Sequence, residues 1–476
     1  MRVLWVCNII LPVIAEELGM PVSNKEGWLS GLSSRILCGT EPVKSGSTAG
    51  GTAAKDDTRD TGMRESSTRD AGARDSSMRE AGEKMVLGVC FPISGGMEET
   101  KRVRGRLSGE RLYYYGFSED TVHEERYDAA LERQMKEIIS DFQPDILHCF
   151  GTEFGHTYAA VRAFAAPKRT LIGIQGICAA CAEHYLDGVP EKLWRRYTFR
   201  DFVKQDNLMQ QREKMRKRGE REAQALALTG HVTGRTQFDR YETQRAAPQA
   251  LYHSMNETMR AGFYDGAWSY EGCEKHRVFV SQGNYPVKGL HYVLRALPIL
   301  KKQYPDIRLY VAGDCIVRRG GAPLMDRLKI SSYGAYLKSL IREGGLEDNV
   351  FFLGQTDAAG MKEQYLKAHV FLSASTIENS PNSVGEAMLL GVPVVSSKVG
   401  GVTDMLTDGR EGLLYHADHV NALAMSVTRI FEDRELAERL SAAAVERARK
   451  THDAEENCRR LLEIYREILY ENNLCE

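Results

Sequence analysis

Along most of the chain, short runs of Val, Ile and Leu alternate with longer stretches in which apolar residues recur every three or four positions. That alternation predicts buried parallel strands connected by amphipathic helices, an α/β architecture. Strands are expected at 2–7, 86–91, 144–149 and 169–174, then at 277–281, 307–312, 349–353, 369–373 and 392–396. Helices are expected at 126–142, 288–304, 333–345, 381–390, 419–432 and 434–449. Two successive Rossmann-like parallel-sheet domains result, 1–270 and 271–450, facing across a cleft that is the natural ligand site. A last amphipathic stretch, within 451–476, is expected to cross back onto the first domain.

Two segments fall outside the pattern. Between 43 and 84 the large apolar residues disappear, and Thr58-Arg-Asp-Thr-Gly, Thr68-Arg-Asp-Ala-Gly and Met78-Arg-Glu-Ala-Gly recur with a ten-residue period. Such a segment cannot bury enough surface to offset chain entropy, so a disordered insertion is expected. The repeats lack the apolar face a solenoid needs. The N-terminal run from Val3 resembles a signal h-region in being short and apolar, but Asn8, Pro12 and Glu16-Glu17 interrupt it, and a buried first strand explains it better. No other run approaches the ~18 apolar residues of a membrane span.

Composition adds little direction. A formal net charge of -2 gives no global pull toward nucleic acid, and the apolar fraction of 42 % is ordinary. Ten cysteines, paired in spacing only at Cys178 and Cys181, point to reduced thiols and a cytoplasmic protein. That lone CxxC has no further ligands at zinc spacing, so it reads as two small residues near a strand end, and no metal site is expected.

The most informative stretch is Thr376-Ile-Glu378-Asn379-Ser-Pro381-Asn382-Ser383-Val384-Gly385-Glu386-Ala-Met-Leu-Leu-Gly391. Apolar runs on both sides make it a strand-loop-helix-strand unit. Ser380 suits the N-cap, Pro381 the first helical position and Gly391 the C-terminal cap. The amides of Asn382, Ser383 and Val384 would then form an anion site suited to a diphosphate. Glu378 lies ahead of that site and Glu386 about a turn and a half inside the helix. Carboxylates beside a diphosphate are tolerated when they accept from neutral hydroxyls, so sugar and ribose hydroxyls are their partners; on spacing alone, two solvated glutamates on a surface helix fit equally well.

This stretch resembles the E-x7-E signature of family 4 (group 1) retaining glycosyltransferases, in a Glu-Asn-Ser-Pro-Asn-Ser form like that of bacterial polysaccharide-biosynthesis members. Asn284-Tyr-Pro-Val-Lys288-Gly289, Gly313-Asp314, Gly400-Gly401-Val402 and Glu411-Gly412 resemble further motifs of the family, in its order, over residues 270–470. The resemblance implies the two-domain GT-B fold and hexosyl transfer from a nucleotide sugar such as a UDP- or GDP-sugar, with no cofactor. It further implies that Glu378 touches the transferred sugar, Glu386 the ribose, and Lys288 with Gly289 the diphosphate. One departure stands out: the family usually has an Arg where this chain has Gly283, so the phosphate charge falls to Arg235, Arg318 or Arg319.

In the first half, Lys25-Glu-Gly27-Trp28 is similar to the family's loop that brings a Gly backbone against the donor phosphates, and is otherwise a plain turn. Asp145-Ile-Leu-His148-Cys-Phe-Gly151-Thr-Glu153 ends a strand, which directs His148 and Glu153 toward the cleft unless His148 is a satisfied core histidine. Gln175 stands where many family members carry an important His; it retains the capacity to hold a sugar hydroxyl but not to titrate. Between Lys192 and Arg221 eleven basic residues face four acids with aromatic residues interleaved, either a peripheral membrane face for a lipid-linked acceptor or a solvated helix pair.

Together these features point to retaining transfer of a sugar from a nucleotide donor to a saccharide or lipid-linked hydroxyl, in cell-surface polysaccharide or glycolipid synthesis. No Asp-x-Asp occurs to hold a divalent ion, so side-chain cations and helix amides would stabilise the leaving group. A GT-B sugar-nucleotide epimerase and a non-catalytic nucleotide-sugar-binding protein are the alternatives. The absence of GxGxxG after the first strand disfavours a dehydrogenase, and no nucleic-acid module is present.

Overall fold

The computed structural model describes residues 1–21, 27–38, 85–93, 99–100, 103–107, 111–120, 122–317 and 328–473. The repeat-bearing segment 43–84, the loop residues Lys25 and Glu26, and Arg318 and Arg319 lie outside them. The first sheet comprises β1 (Arg2–Val6), β2 (Val86–Ile93), β3 (Arg104–Arg106), β4 (Leu112–Ser118), β5 (Ile146–Phe150), β6 (Thr170–Gly173), β7 (His231–Gly234) and β8 (Leu251–Ser254). Their order is β3-β4-β2-β1-β5-β6-β7-β8, and only the edge pair β3/β4 is antiparallel.

The second sheet comprises β9 (Arg277–Val280), β10 (Arg308–Ala312), β11 (Val350–Gly354), β12 (Val370–Ser373), β13 (Val394–Ser397) and β14 (Leu413–Tyr415). All its pairs are parallel, in the order β11-β10-β9-β12-β13-β14. In both sheets the order reverses beside the first strand, between β1 and β5 and between β9 and β12. Loops leaving the carboxyl ends of strands at such a reversal splay apart and open a crevice. The three loops that matter here, carrying Glu153, Lys288 and Glu378, leave the reversal strands β5, β9 and β12 directly.

The nine expected strands are present, each end within two residues of its expected position. Five others carry weaker signals: β4 is aromatic rather than aliphatic, β7 and β8 hold only four residues each, and β3 and β14 three. The basic stretch folds as three helices, Glu191–Trp194, Phe199–Lys204 and Leu208–Leu226; the last two are started by capping boxes at Thr198/Asp201 and Asn207/Gln210.

The last helix, Ala454–Asn473, lays Cys458, Leu461, Ile464, Tyr465 and Ile468 against Val3, Trp5, Leu87 and Phe91 of the first sheet. Each buried aliphatic side chain there contributes roughly 1.5–3 kcal/mol. The contact also has a polar centre. The indole Nε1 of Trp5 donates to the Tyr465 hydroxyl at 2.8 Å, and that hydroxyl lies 2.7 Å from His148 Nδ1. With its oxygen accepting from Trp5, the hydroxyl keeps a proton and a second lone pair, either of which serves His148 according to the imidazole tautomer.

Candidate functional site

The site is built where the two sheets' reversal points face each other. From the second sheet, the loop after β9 turns through Pro286–Lys288 and ends at Gly289, whose φ of +65° lies in the left-handed region and where a Cβ would overlap the Ala374 carbonyl oxygen. That close approach sets Lys288 beside the loop after β12. Its Nζ donates to Glu378 Oε1 at 2.5 Å, and Ser375 Oγ donates to the same oxygen at 2.7 Å. Burial disfavours the Lys288 ammonium, but Glu378 and then Tyr285 outweigh that, and its pKa is raised. The lysine is therefore a fixed cation at any working pH. Gly401 N donates to Glu378 O at 3.0 Å, so the Gly400-Gly401 loop braces the same backbone.

The helix Asn382–Leu390 starts one residue later than the sequence suggests. Pro381, extended at ψ 117°, is the N-cap, and Ser380 caps nothing: its hydroxyl faces Met405 Sδ at 3.6 Å. In consequence the anion site is shorter than expected. The amides of Asn382 and Ser383 head the helix, whereas Val384 N donates to Pro381 O at 3.0 Å and is withdrawn from it. Gly391, at φ +76°, closes the helix as expected.

Glu386 is buried on this helix. Arg260 grips its Oε1 with Nε at 2.7 Å and Nη2 at 2.6 Å, and the Tyr365 hydroxyl donates to Oε2 at 3.4 Å. Burial raises its pKa against the opposing pull of Arg260. Glu378 and Glu386 thus flank the helix start, each already held by one cation.

The first domain closes the site from the other side. Arg235, after β7, donates from Nη1 to Glu257 Oε2 at 2.9 Å and to Asn382 Oδ1 at 2.8 Å. Its Nε is buried without a partner. Gln175 Nε2 donates to Glu257 Oε1, and Asn379 Nδ2 donates to Gln175 O at 2.9 Å. Gln175, Glu153, Tyr285, Lys288, Glu378 and Asn379 line one cavity of about 240 Å³. At Gly283 a Cβ would sit 2.6 Å from Leu290 Cδ2 and 3.1 Å from Val311 Cγ1, so a longer residue there must displace the Leu290 side chain. The position where the family resemblance expects Arg is filled by packing.

His148 is a correction. It lies inside β5, fully buried and bonded to Tyr465, and burial lowers its pKa to about 3. It is a core residue beneath the last helix, not a cleft residue. Gly27 opens the helix Gly27–Cys38. Among the described residues, no three His, Cys, Asp or Glu side chains are grouped to hold a metal ion, and no helix is long and apolar enough to cross a membrane. Sequence reading missed Arg260 and Glu257, which lie in an aperiodic linker and meet partners 126 and 22 residues away.

Comparison with known proteins agrees with this arrangement. Residues 273–447 match the family described as "Glycosyl transferases group 1". The phosphatidyl-myo-inositol mannosyltransferase of Mycobacterium leprae is 30 % identical over 182 residues, 38 % of this chain and 44 % of that protein. The glycogen synthase of Thermus thermophilus is 34 % identical over 182 residues, 38 % of this chain and 36 % of that protein. The chain thus spans less than half the length of these curated relatives. Among solved structures, sucrose-phosphate synthase from Thermosynechococcus elongatus superposes with a TM-score of 0.60 at 16 % identity, covering 81 % of this chain and 90 % of that one. The Anabaena protein HepE, crystallised with UDP and glucose, gives 0.58 at 15 % identity, covering 98 % and 99 %. These likenesses establish the GT-B fold.

Proposed function

Residues 273–447 are a group 1 glycosyl transferase domain within a GT-B fold, and on that premise we propose that the protein transfers a sugar from a nucleotide-sugar donor, such as a UDP- or GDP-sugar, to a hydroxyl acceptor with retention of configuration. The observation that carries the reading is the Lys288–Glu378 pair set beside the amides of Asn382 and Ser383. A lysine held as a cation, two free helix amides and the Arg235 guanidinium converge where a diphosphate would gather negative charge as it leaves. Arg235 takes the part of the missing arginine. Glu378 meets the transferred sugar, and Glu386, fixed by Arg260, meets the ribose. In the step, the bond from the anomeric carbon to the phosphate oxygen breaks with its electrons leaving on the nucleoside diphosphate. A bond to the acceptor oxygen forms, and the acceptor proton is released.

The acceptor in this reading is a saccharide or a lipid-linked saccharide at the cytoplasmic face of an anionic membrane, in cell-surface polysaccharide or glycolipid synthesis. Within the basic stretch the helix Leu208–Leu226 spends most of its charges: Arg216 pairs with Glu213 and Glu220, Arg218 with Glu124, and Arg221 donates to the carbonyls of Glu124 and Glu125. The membrane face therefore narrows to 192–204. There Tyr197, Phe199, Phe202 and Val203 are 45 to 65 % exposed among Lys192, Arg195, Arg196 and Lys204. Exposed aromatic residues ringed by cations suit an anionic interface. Asp201 accepts from Ser332 N at 2.8 Å, which pins this patch to the second domain beside a cavity of about 570 Å³ that Asn284 of the Lys288 loop also lines.

The test is a panel of UDP-, GDP- and ADP-sugars incubated with saccharide and lipid acceptors. Release of nucleoside diphosphate together with a glycosylated product supports the reading. Donor consumption without product supports the epimerase alternative, and binding without consumption supports a recognition protein.

A further inference from the structure

The chain passes between the domains along the linker that follows β8, and two of its side chains, Glu257 and Arg260, brace the cleft. Arg260 grips Glu386. Glu257, only 5 % exposed, divides its two oxygens: Oε2 accepts from Arg235 Nη1 at 2.9 Å, and Oε1 accepts from Gln175 Nε2. Both partners touch the stretch that leads into the helix Asn382–Leu390. Arg235 reaches Asn382 Oδ1 at 2.8 Å, and the main-chain carbonyl of Gln175 accepts from Asn379 Nδ2 at 2.9 Å. The main chain of Glu257 is itself fixed, because its carbonyl accepts from His452 Nδ1 at 2.7 Å, just ahead of the last helix.

An ion pair as buried as this one, with Arg235 only 6 % exposed, adds little net stability, since taking two charges out of water costs about as much as their attraction returns. What it fixes is direction. An arginine side chain loses rotamer freedom when an anion orders it, and a partner that orders it beforehand removes that cost from binding. Arg235 is ordered in this way: Asp239 accepts from its main-chain N at 2.9 Å, and Glu257 and Asn382 share Nη1. Among the described residues Nη2 has no hydrogen-bond partner, and it is left to donate to an anion.

We infer that Glu257 is a positioning residue of the site, one that holds Arg235 for the donor diphosphate and itself touches no substrate; the role rests on the transferase reading above. Gln175, fastened to the other oxygen, keeps the carboxylate from turning away from the guanidinium. Without this hold the diphosphate must order Arg235 itself, and it binds more weakly. The carboxylate's own charge repels a diphosphate, so the informative substitution keeps the charge and withdraws the oxygens.

Glu257→Asp does so. The probe is whichever of UDP, GDP and ADP the wild-type protein binds by calorimetry. Its affinity should fall about 10-fold in Glu257→Asp, at a melting temperature close to that of the wild type. The loss should shrink to less than about twofold in an Arg235→Gln background and persist in full in a Lys288→Ala background, because groups that share a contact couple and separate ones add. Glu257→Gln, which offers one accepting oxygen to two donors, should show the same dependence on Arg235. Wild-type affinity in Glu257→Asp, or an equal loss with and without Arg235, overturns the role. If neither variant folds, Glu257 serves the fold and the role is equally overturned. A wild-type protein that binds none of the three diphosphates defeats the transferase reading itself, whereas one that binds and consumes a donor while these variants stay additive defeats only this role.

Discussion

The guanidinium of Arg235 reaches across from the first domain to sit 2.8 Å from Asn382 Oδ1, at the first residue of the helix that carries Glu386. One cation thereby bridges the two domains at the anion site, while the position expected to supply that charge, Gly283, is closed by Leu290 and Val311. Arg235→Gln should weaken UDP binding about 10- to 150-fold, the worth of a hydrogen bond to a charged group. Gly283→Arg should not restore it, because a Cβ there meets Leu290 and must displace that side chain. Calorimetric titration of the single and double variants checks both statements; unchanged affinity in Arg235→Gln would place the charge elsewhere.

Most of this site was legible in the sequence because its parts are contiguous. Glu378 and Glu386 lie eight residues apart in a run bounded by aliphatic strands, and Lys288-Gly289 follows another such strand. What bound them was not legible. Arg260 meets Glu386 and Arg235 meets Asn382 only because the chain returns from another domain, and no local period records that. His148 failed for a related reason. A histidine near a strand end reads as cleft-facing, but only residues beyond the last ladder pair leave the sheet, and His148 is paired in register with Trp5 and Leu171. The one-residue error at Pro381 has a local cause: proline's fixed φ suits the first helical position, but here its ψ of 117° keeps it extended and leaves it just outside the helix.

The polar centre beneath the last helix should be structural alone. Tyr465→Phe removes the hydroxyl that accepts from Trp5 and is hydrogen-bonded to His148. A loss of about 1–3 kcal/mol is expected from leaving these buried groups unpaired, read as a lower urea midpoint, with UDP affinity unchanged. A fall in affinity without a fall in stability would assign this helix a part in the site.

Acid should destabilise the fold through its buried histidines. Burial lowers His148, His291 and His369 to about 3, and His253 and His452 to about 4. A base whose pKa is depressed by folding contributes stability that is complete above its unfolded value near 6.5 and is lost as pH falls toward the folded value. Glu222, raised by burial to about 7, has the opposite sign, favouring the fold below about 4.5 and losing that contribution as pH rises through 7, and Glu124, Glu153, Glu242 and Glu386, also raised by burial, act in the same direction. The five histidine shifts are large, whereas among these carboxyls only that of Glu222 is, so the histidines set the sign. The melting temperature should fall as pH drops from 7 to 4, and the slope should flatten in His148→Gln; a flat profile in the wild type would contradict the burial of these rings.

The exposed patch predicts membrane binding of a particular kind. The wild-type protein should sediment with vesicles containing phosphatidylglycerol and not with neutral phosphatidylcholine vesicles, and added salt should release it. Phe199→Ser with Phe202→Ser should abolish sedimentation while leaving transfer to a water-soluble acceptor intact. Equal binding to neutral vesicles, or none to either, would exclude an anionic membrane as the occupant.

The most direct test of the account is the turnover of Lys288→Ala with the donor selected by the nucleotide-sugar panel, measured as nucleoside diphosphate released and product formed. With Lys288 as the fixed cation against the leaving diphosphate, turnover should fall about 10²- to 10³-fold, with a melting temperature close to that of the wild type. Wild-type turnover by a folded Lys288→Ala protein would contradict the placement of the diphosphate between Lys288 and the helix that begins at Asn382.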